Sequence, residues 1–202
     1  MGRPILMPER CVGLRPRLCA SVGEYLDVWR SGASCQLWDV PYDKREKGTH
    51  RFAIADTRGR VELTVPVAKP GSSRCLWSDV RVSEHGGWWD VHRVALESAY
   101  GRTPYFEFYI DGFLPMLTAG VTERFPLLRD LALAWDGEIR RLLGVEAACR
   151  AEDVRECVFE APRAEGRYRQ VREGKLGFVG GLSVLDLLFN LGPEAQVWMN
   201  GR

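Results

Sequence analysis

The chain of 202 residues is long enough to bury a hydrophobic core, and we expect residues 1–202 to form a single domain. Its 28 basic and 27 acidic residues give a net charge of +1, which excludes a long-range attraction for nucleic acid or an anionic membrane. Six cysteines are spread along the sequence without a C-x-x-C pair, a spacing that argues against a disulfide scaffold and against a metal site.

The N-terminal stretch predicts a cytoplasmic protein without an integral membrane segment. Proline and arginine recur every few residues, and no apolar run is long enough for a signal peptide or a membrane span. We interpret residues 1–17 as an extended lead-in because they show little periodicity. Residues 21–31 place apolar side chains at helical spacing, and Ser21 as N-cap with Gly32 at the stop predicts a short amphipathic helix.

Four segments have the pattern of strands. Residues 35–40 and 77–82 are apolar enough for short buried strands, and residues 154–161 alternate between apolar and polar side chains. Residues 50–67 indicate two strands about a turn, since apolar side chains alternate along the second half of this segment.

Helical periodicity marks the middle of the chain. It begins at Trp88 and ends at Gly101, and it is strongest over residues 124–144, where two arginines precede a terminal glycine. The aromatic-rich residues 103–117 are broken by glycine and proline and predict short helical turns. The alternation of strands and helices favours an α/β fold, a mixed sheet with an antiparallel hairpin flanked by helices, with α+β as the alternative.

Three histidines limit the choice of a catalytic acid or base. His92 lies beside the apolar face of its predicted helix, where a neutral imidazole can transfer protons near neutral pH. A hydrogen-bonded histidine at the edge of the core is the simpler interpretation of the same position. His50 in the hairpin and His85 in a glycine-rich turn are not distinctive by themselves.

The segment LSVLDLLFNLGPEA, which starts at Leu182, has a structural explanation at nearly every position. Ser183 as N-cap and Asp186 at the third helical position form an acidic version of the capping box, and Leu182 with Leu187 matches the hydrophobic staple. Gly192 ends the helix, and the proline after it prevents resumption. Asp186 is expected to accept from backbone N–H groups, which lowers its pKa and makes it a poor base.

A glycine cluster, GFVGGLS, precedes this helix. Its backbone N–H groups could receive an anion at the helix N-terminus, and a tight turn that needs positive φ is the structural alternative. The sequence contains no P-loop, dinucleotide fingerprint or nucleophile elbow, so the cofactor is unknown at this point.

Two stretches in register resemble the WbqC-like family of bacterial proteins. They are VHRVALESAYGRTPYFEFYID at residues 91–111, and YRQV followed by GFVGGLSVLDLLFNLGPEA within residues 168–195. Family members occur in O-antigen and other surface-polysaccharide gene clusters. The resemblance therefore implies a transferase that adds a glycyl or acyl group to an amino sugar.

The resemblance also implies the functional residues: His92, Glu97 and Asp186 as catalytic residues, and Arg51, Tyr100, Ser183 and Asn190 as substrate-binding residues. The chain departs from the family pattern at several places. The family's Arg-Asn-Arg tripeptide reads Thr-His-Arg here and keeps only the second arginine, Arg51. Leu176 replaces a histidine that often precedes the Gly-Phe pair, so a catalytic role of that histidine would be missing.

Two hypotheses follow from these residues. In an enzyme of transfer type, His92 deprotonates the amine of a sugar as it attacks an activated carboxyl donor, and Arg51 holds the donor's phosphate or carboxylate. Ser183, or the glycine N–H groups before it, stabilises the oxyanion. In the second hypothesis the protein binds a sugar nucleotide or assists polysaccharide assembly without catalysis. Both imply a small-molecule partner, a sugar nucleotide or amino sugar, and no nucleic acid.

Overall fold

The structure is a computed structural model that describes residues 10–32, 34–72, 74–145, 156–158 and 166–202. The strands are β1 (Arg10–Leu14), β2 (Ser34–Gln36), β3 (Arg51–Asp56), β4 (Gly59–Thr64) and β5 (Glu156–Val158). The α-helices are α1 (Val22–Ser31), α2 (Trp88–Tyr100), α3 (Phe106–Phe113), α4 (Val121–Arg124), α5 (Leu128–Leu143), α6 (Glu173–Leu176), α7 (Val184–Leu191) and α8 (Glu194–Asn200).

The described strands form two sheets. β1 lies between β2 and β5 and is parallel to both, so part of the segment predicted as an extended lead-in is the centre of a sheet. The first nine residues of that segment lie outside the described part of the chain. β3 and β4 form the predicted antiparallel hairpin as a sheet of its own. The predicted class, helices flanking parallel strands and an antiparallel hairpin, is confirmed.

The hairpin has two unlike faces because side chains alternate along each strand. One face is buried in the core and carries Phe52, Ile54 and Leu63. Residues directly opposite each other on paired strands share a face. The register therefore collects small and charged side chains on the other face: Arg51, Ala53, Ala55, Arg60 and Glu62. The short alanine side chains leave room for Leu182, which packs against both of them.

α5 and α7 both lie in the core. Trp135 and Ile139 of α5 are fully buried, and all eight residues of α7 are buried. Full burial of each large apolar side chain contributes about 1.5–3 kcal/mol, so the apolar run of α7 is a major source of stability. No helix among the described residues is long and apolar enough to cross a bilayer.

A buried polar cluster attaches α1 to α5. Arg140 Nε donates to one carboxylate oxygen of Asp136 at 2.7 Å, and the Tyr25 hydroxyl donates to the other. Arg140 Nη2 also donates to Ser34 Oγ at 2.7 Å, which connects β2 to the same cluster. Removing one partner of such a buried pair leaves an uncompensated charge, so these bonds hold the start of α1 in a defined position.

The ends of the predicted helices agree with local capping rules. Ser21 Oγ accepts from the Glu24 N–H and the Glu24 carboxylate accepts from the Ser21 N–H, which forms a capping box at the start of α1. Gly32 ends α1 with φ 66°, and Gly144 ends α5 with φ 65°, a region that favours glycine.

Several predictions of local structure are wrong. Residues 77–82 form a 3₁₀ turn followed by isolated bridges, because their backbone groups bond to separate segments rather than to one strand. The strand predicted over residues 35–40 ends at Gln36. Pro193 does not prevent resumption of the helix: α8 begins at the next residue, since the φ of proline suits a helix start.

Helix boundaries and faces also differ in part from the prediction. α5 starts at Leu128 rather than at residue 124, and a separate short helix, α4, precedes it. On α2, Val91 is 59% exposed, whereas His92 lies on the buried face. The strand predicted over residues 154–161 is present as β5, and its other residues lie outside the described part.

Candidate functional site

A cavity of about 210 Å³ lies where the hairpin meets the starts of α1 and α7. Ser21, which precedes α1, pairs with Ser183, which precedes α7, in an isolated antiparallel bridge. The Ser183 N–H donates to the Ala53 carbonyl at 2.9 Å and so attaches the start of α7 to β3. Both helix N-termini therefore face the charged side of the hairpin. We call this space the hairpin cavity.

Basic side chains outnumber acidic ones in the wall of the hairpin cavity. The charged residues that line it are Arg17, Lys47, Arg51, Arg60, Glu24 and Glu62. A cleft lined mainly by one sign of charge concentrates the field of those charges and attracts ions of the opposite sign. The cavity is therefore suited to an anionic group.

Arg17 and Glu24 are held by each other and by α1. Arg17 Nε donates to Glu24 at 3.1 Å, and Arg17 Nη1 contacts Glu46 at 3.5 Å. Glu24 also accepts from both the backbone and the hydroxyl of Ser21. Both side chains have structural bonds and shape the cavity wall.

Arg51 and Arg60 converge on a single carboxylate. A Glu62 oxygen lies 3.8 Å from Arg51 Nη1, and the other lies 3.1 Å from Arg60 Nη2. One negative charge therefore balances two guanidinium groups, and this part of the cavity keeps an excess positive charge.

Two buried polar atoms of the wall, Arg51 Nε and Ser183 Oγ, have no hydrogen-bond partner within the described part of the chain. Ser183 is only 2% exposed, and its hydroxyl lies beside the Cys19 thiol, which is a weak partner. Buried donors are nearly always paired in folded proteins, because an unpaired one costs about 1–3 kcal/mol. Both atoms are buried, so an anion in the cavity bonds to them once the side chains that cover them move.

Cys19 is a packing residue of the wall rather than a reactive thiol. Burial raises the pKa of its thiol well above the ordinary value, although the Ser183 hydroxyl opposes this effect in part. The thiolate is the nucleophilic form, and it is therefore scarcely populated at neutral pH.

His92 lies in the core and does not line the hairpin cavity. Its ring makes edge contacts with Phe52 and Trp88, at centroid distances of 5.6 Å and 5.2 Å. The Thr64 carbonyl, 3.1 Å from Nε2, can only accept, so Nε2 carries the proton. The buried Nδ1 has no partner among the described residues. Burial lowers the pKa of His92 to about 4, which keeps the imidazole neutral at physiological pH.

Asp186 lies in a second place, a buried hydrogen-bond network beside α7. Its Oδ2 accepts from the Tyr168 hydroxyl at 2.7 Å and from Gln170 Nε2 at 2.9 Å. The Tyr100 hydroxyl also interacts with this carboxylate and accepts from the Ala55 N–H at 3.1 Å. We call Tyr100, Tyr168, Gln170, Asp186 and Asn190 the Asp186 network.

Asn190 completes the Asp186 network through two backbone bonds. Its Nδ2 donates to the Asp186 carbonyl at 2.7 Å, and its Oδ1 accepts from the Val171 N–H at 2.7 Å. Gln170 in turn bonds both backbone groups of Val179, which ties the glycine-rich segment to the network. The bonds of these side chains support the fold around α7.

Three predictions about α7 and the two residues that precede it are wrong. Asp186 accepts from side chains rather than from backbone N–H groups, and its pKa is raised because burial outweighs the bonds from Tyr168 and its neighbours. Ser183 precedes the helix but its hydroxyl makes no capping bond. Leu182 packs with alanines of β3, not with Leu187 in the main core.

The structure thus divides the predicted site residues among several places. Arg51 and Ser183 meet in the hairpin cavity, while Tyr100, Asp186 and Asn190 meet in the Asp186 network. His92 and Glu97 belong to neither group, and Glu97 is exposed on α2. The described residues contain no cluster of His, Cys, Asp and Glu that could hold a metal ion.

Sequence reasoning missed the other charged residues of the cavity. Arg60 and Glu62 could have been found from the sequence, because side chains alternate between the two faces along β4 and these two share a face with Arg51 of β3. Arg17 had no such signal in the sequence, because its place in the wall depends on its contacts with Glu24 and Glu46.

Together the fold and the cavity define an α/β protein with a cationic pocket between a hairpin and two helix starts. The family model described as the WbqC-like protein family matches residues 34–152, more than half of the chain. The chain belongs to the WbqC-like family. The matched range includes Arg51 and His92, whereas Ser183 follows it in the sequence. No curated protein and no solved structure matches the chain.

Proposed function

We propose that the protein acts in bacterial surface-polysaccharide or O-antigen biosynthesis, as a cytoplasmic transferase that adds a glycyl or acyl group to an amino sugar. The hairpin cavity holds an anionic group of the small-molecule substrate, such as the diphosphate of a sugar nucleotide. The observation that carries the proposal is the pair of buried, unpaired donors, Arg51 Nε and Ser183 Oγ, in a cationic wall.

Arg51 has the chemistry to hold that anionic group. A guanidinium presents several N–H donors in a planar fork that matches phosphate or carboxylate oxygens. Its Nε–H is buried and unpaired, so a bond to a ligand oxygen replaces no bond within the protein. Ser183 adds a hydroxyl donor at the start of α7, where the helix dipole also favours negative charge.

A second cavity gives room for the remainder of such a ligand. It measures about 420 Å³, and its wall includes Glu46, which contacts Arg17 of the hairpin cavity at 3.5 Å. Pro16, Pro41 and Trp77 contribute apolar surface to its wall. Small-molecule sites typically measure about 300–1,000 Å³ and combine apolar walls with a few polar groups. A sugar nucleotide, with its diphosphate in the hairpin cavity, suits this arrangement.

The transfer reaction requires a base. The sugar nitrogen forms an amide bond with the acyl carbon, the bond from that carbon to the donor's leaving group breaks, and a base accepts the amine proton. In this proposal His92 is that base, and its Nδ1 is the nitrogen that accepts. Because Nδ1 is buried, the side chains around His92 must move before substrate reaches it.

The second candidate function is sugar-nucleotide binding without catalysis, as a component of polysaccharide assembly. The position of His92 favours it: the imidazole bonds to Thr64 in the core and does not line the cavity. Binding alone needs only the donors of the hairpin cavity. The two candidates therefore share the same anion site and differ in whether chemistry follows.

One experiment separates the two candidates. The protein is titrated calorimetrically with UDP-N-acetylglucosamine, and is then incubated with a UDP-linked amino sugar and a glycyl thioester while product mass is followed. Binding together with a product that is heavier by the mass of one glycyl group supports the transferase. Binding without product supports the second candidate. Absence of both overturns the proposed site.

A further inference from the structure

Glu62 occupies the place between Arg51 and Arg60 that an anionic ligand would take. In the hairpin register Glu62 lies opposite Ala53, Arg60 lies opposite Ala55, and Arg51 is two residues from Ala53 on the same face. The two arginines therefore flank Glu62 along the hairpin. Both guanidinium groups reach its carboxylate, at 3.8 Å and 3.1 Å.

We infer that Glu62 competes with the ligand for the Arg51–Arg60 pair, and that this competition makes the hairpin cavity select a diphosphate over a single carboxylate. The inference deepens the proposed function, because it rests on anion binding in the cavity and names the chemical class of the anion. It assigns the cavity to the nucleotide part of a sugar nucleotide rather than to the carboxyl end of an acyl donor.

The charge balance carries this selectivity. A carboxylate that displaces Glu62 substitutes one negative charge for another, so the two arginines gain little. A diphosphate brings more negative charge and more acceptor oxygens. It can bond both guanidinium groups and, once the side chains that cover them move, also Arg51 Nε and Ser183 Oγ, the two buried donors that Glu62 does not bond.

Glu62 is the acidic residue of the cavity that can leave its place. Its side chain is 44% exposed, and an exposed ion pair contributes only about 0–1 kcal/mol, so it turns into solvent at low cost. Glu24 is only 12% exposed and is held by Arg17 and by the capping bonds of Ser21. Glu24 therefore stays in the wall while Glu62 makes way.

Isothermal titration with inorganic pyrophosphate and with acetate tests the inference on the wild type and on Glu62→Gln. The control for overall charge is Glu138→Gln, which removes a carboxylate paired with Arg141 away from the cavity lining. We expect the wild type to bind pyrophosphate in clear preference to acetate. Glu62→Gln should bind pyrophosphate about three- to fivefold tighter and acetate detectably, while Glu138→Gln matches the wild type.

The outcomes separate this inference from the proposed function. Tight pyrophosphate binding that Glu62→Gln leaves unchanged, or equal affinities of the wild type for pyrophosphate and acetate, overturns the role of Glu62 and keeps the anion site. An equal gain in Glu138→Gln assigns the effect to overall charge and also overturns it. If neither the wild type nor Glu62→Gln binds pyrophosphate, the proposed anion site itself fails.

Discussion

The hairpin cavity and the Asp186 network both include residues from the start or the body of α7, but they differ in whether their buried polar groups have hydrogen-bond partners. In the network, Asp186 and Asn190 have their oxygens and nitrogens paired with neighbouring side chains and backbone. In the cavity, Arg51 Nε and Ser183 Oγ are buried without a partner among the residues that the structure describes. Paired buried groups stabilise a fold, whereas unpaired donors in a cationic pocket are available to a ligand. We therefore assign the Asp186 network a structural role and the hairpin cavity a candidate binding role.

The largest effect is expected where the network is broken. Asp186→Ala removes the acceptor of the Tyr168 hydroxyl and of Gln170 Nε2, and should lower the free energy of unfolding by about 3–5 kcal/mol. Asp186→Asn keeps one acceptor oxygen and should lose about 1–2 kcal/mol. Urea denaturation measures both. If Asp186→Ala is as stable as the wild type, the network is not structural.

His92 gives the protein a dependence on pH that belongs to the core. Because its folded pKa is about 4, below the 6.5 of an ordinary histidine, its contribution to stability is complete above pH 6.5 and is lost as pH falls toward 4. The loss should reach about 3 kcal/mol. His92→Gln can still donate to Thr64 but does not titrate, so its stability should vary less over this range. If the stabilities of the wild type and of His92→Gln change in parallel with pH, His92 is accessible to solvent and burial does not lower its pKa.

The end of α7 depends on the backbone conformation of a glycine. Gly192 has φ 54°, and a Cβ there would collide with the ring of Tyr105. Gly192→Ala should therefore lower stability by about 1–3 kcal/mol. Gly137→Ala is the control: Gly137 lies within α5 with open space around it, so alanine should stabilise the helix by about 0.5–1 kcal/mol. Thermal unfolding of the two variants should shift in opposite directions.

The smallest effect on stability is expected at the cavity. Ser21 and Ser183 face each other across one bridge and both precede a helix, but only Ser21 makes capping bonds. Ser21→Ala should lose about 1 kcal/mol, whereas Ser183→Ala should stay within about 0.5 kcal/mol of the wild type. Ser183→Ala should instead weaken pyrophosphate binding about fivefold. A stability loss at Ser183 without loss of affinity would make it a structural residue.

Local rules predicted the parts of the fold that depend on neighbours in sequence. The capping bonds of Ser21 and the hairpin of residues 50–67 are local features, and both are present. The pKa of Asp186 could not be predicted, because its direction depends on burial among distant side chains such as Tyr168. Arg51 and Ser183 were proposed from the sequence, but their meeting depends on the bond between Ser183 and Ala53 of β3.

The central claim is that the unpaired donors of the hairpin cavity bind an anion. Calorimetric titration of inorganic pyrophosphate into Arg51→Gln tests it most directly, with Arg129→Gln, a surface arginine paired with Asp130, as the charge control. We expect Arg51→Gln to lose affinity by about tenfold or more while Arg129→Gln binds as the wild type does. Equal affinities of the wild type and Arg51→Gln would contradict the claim.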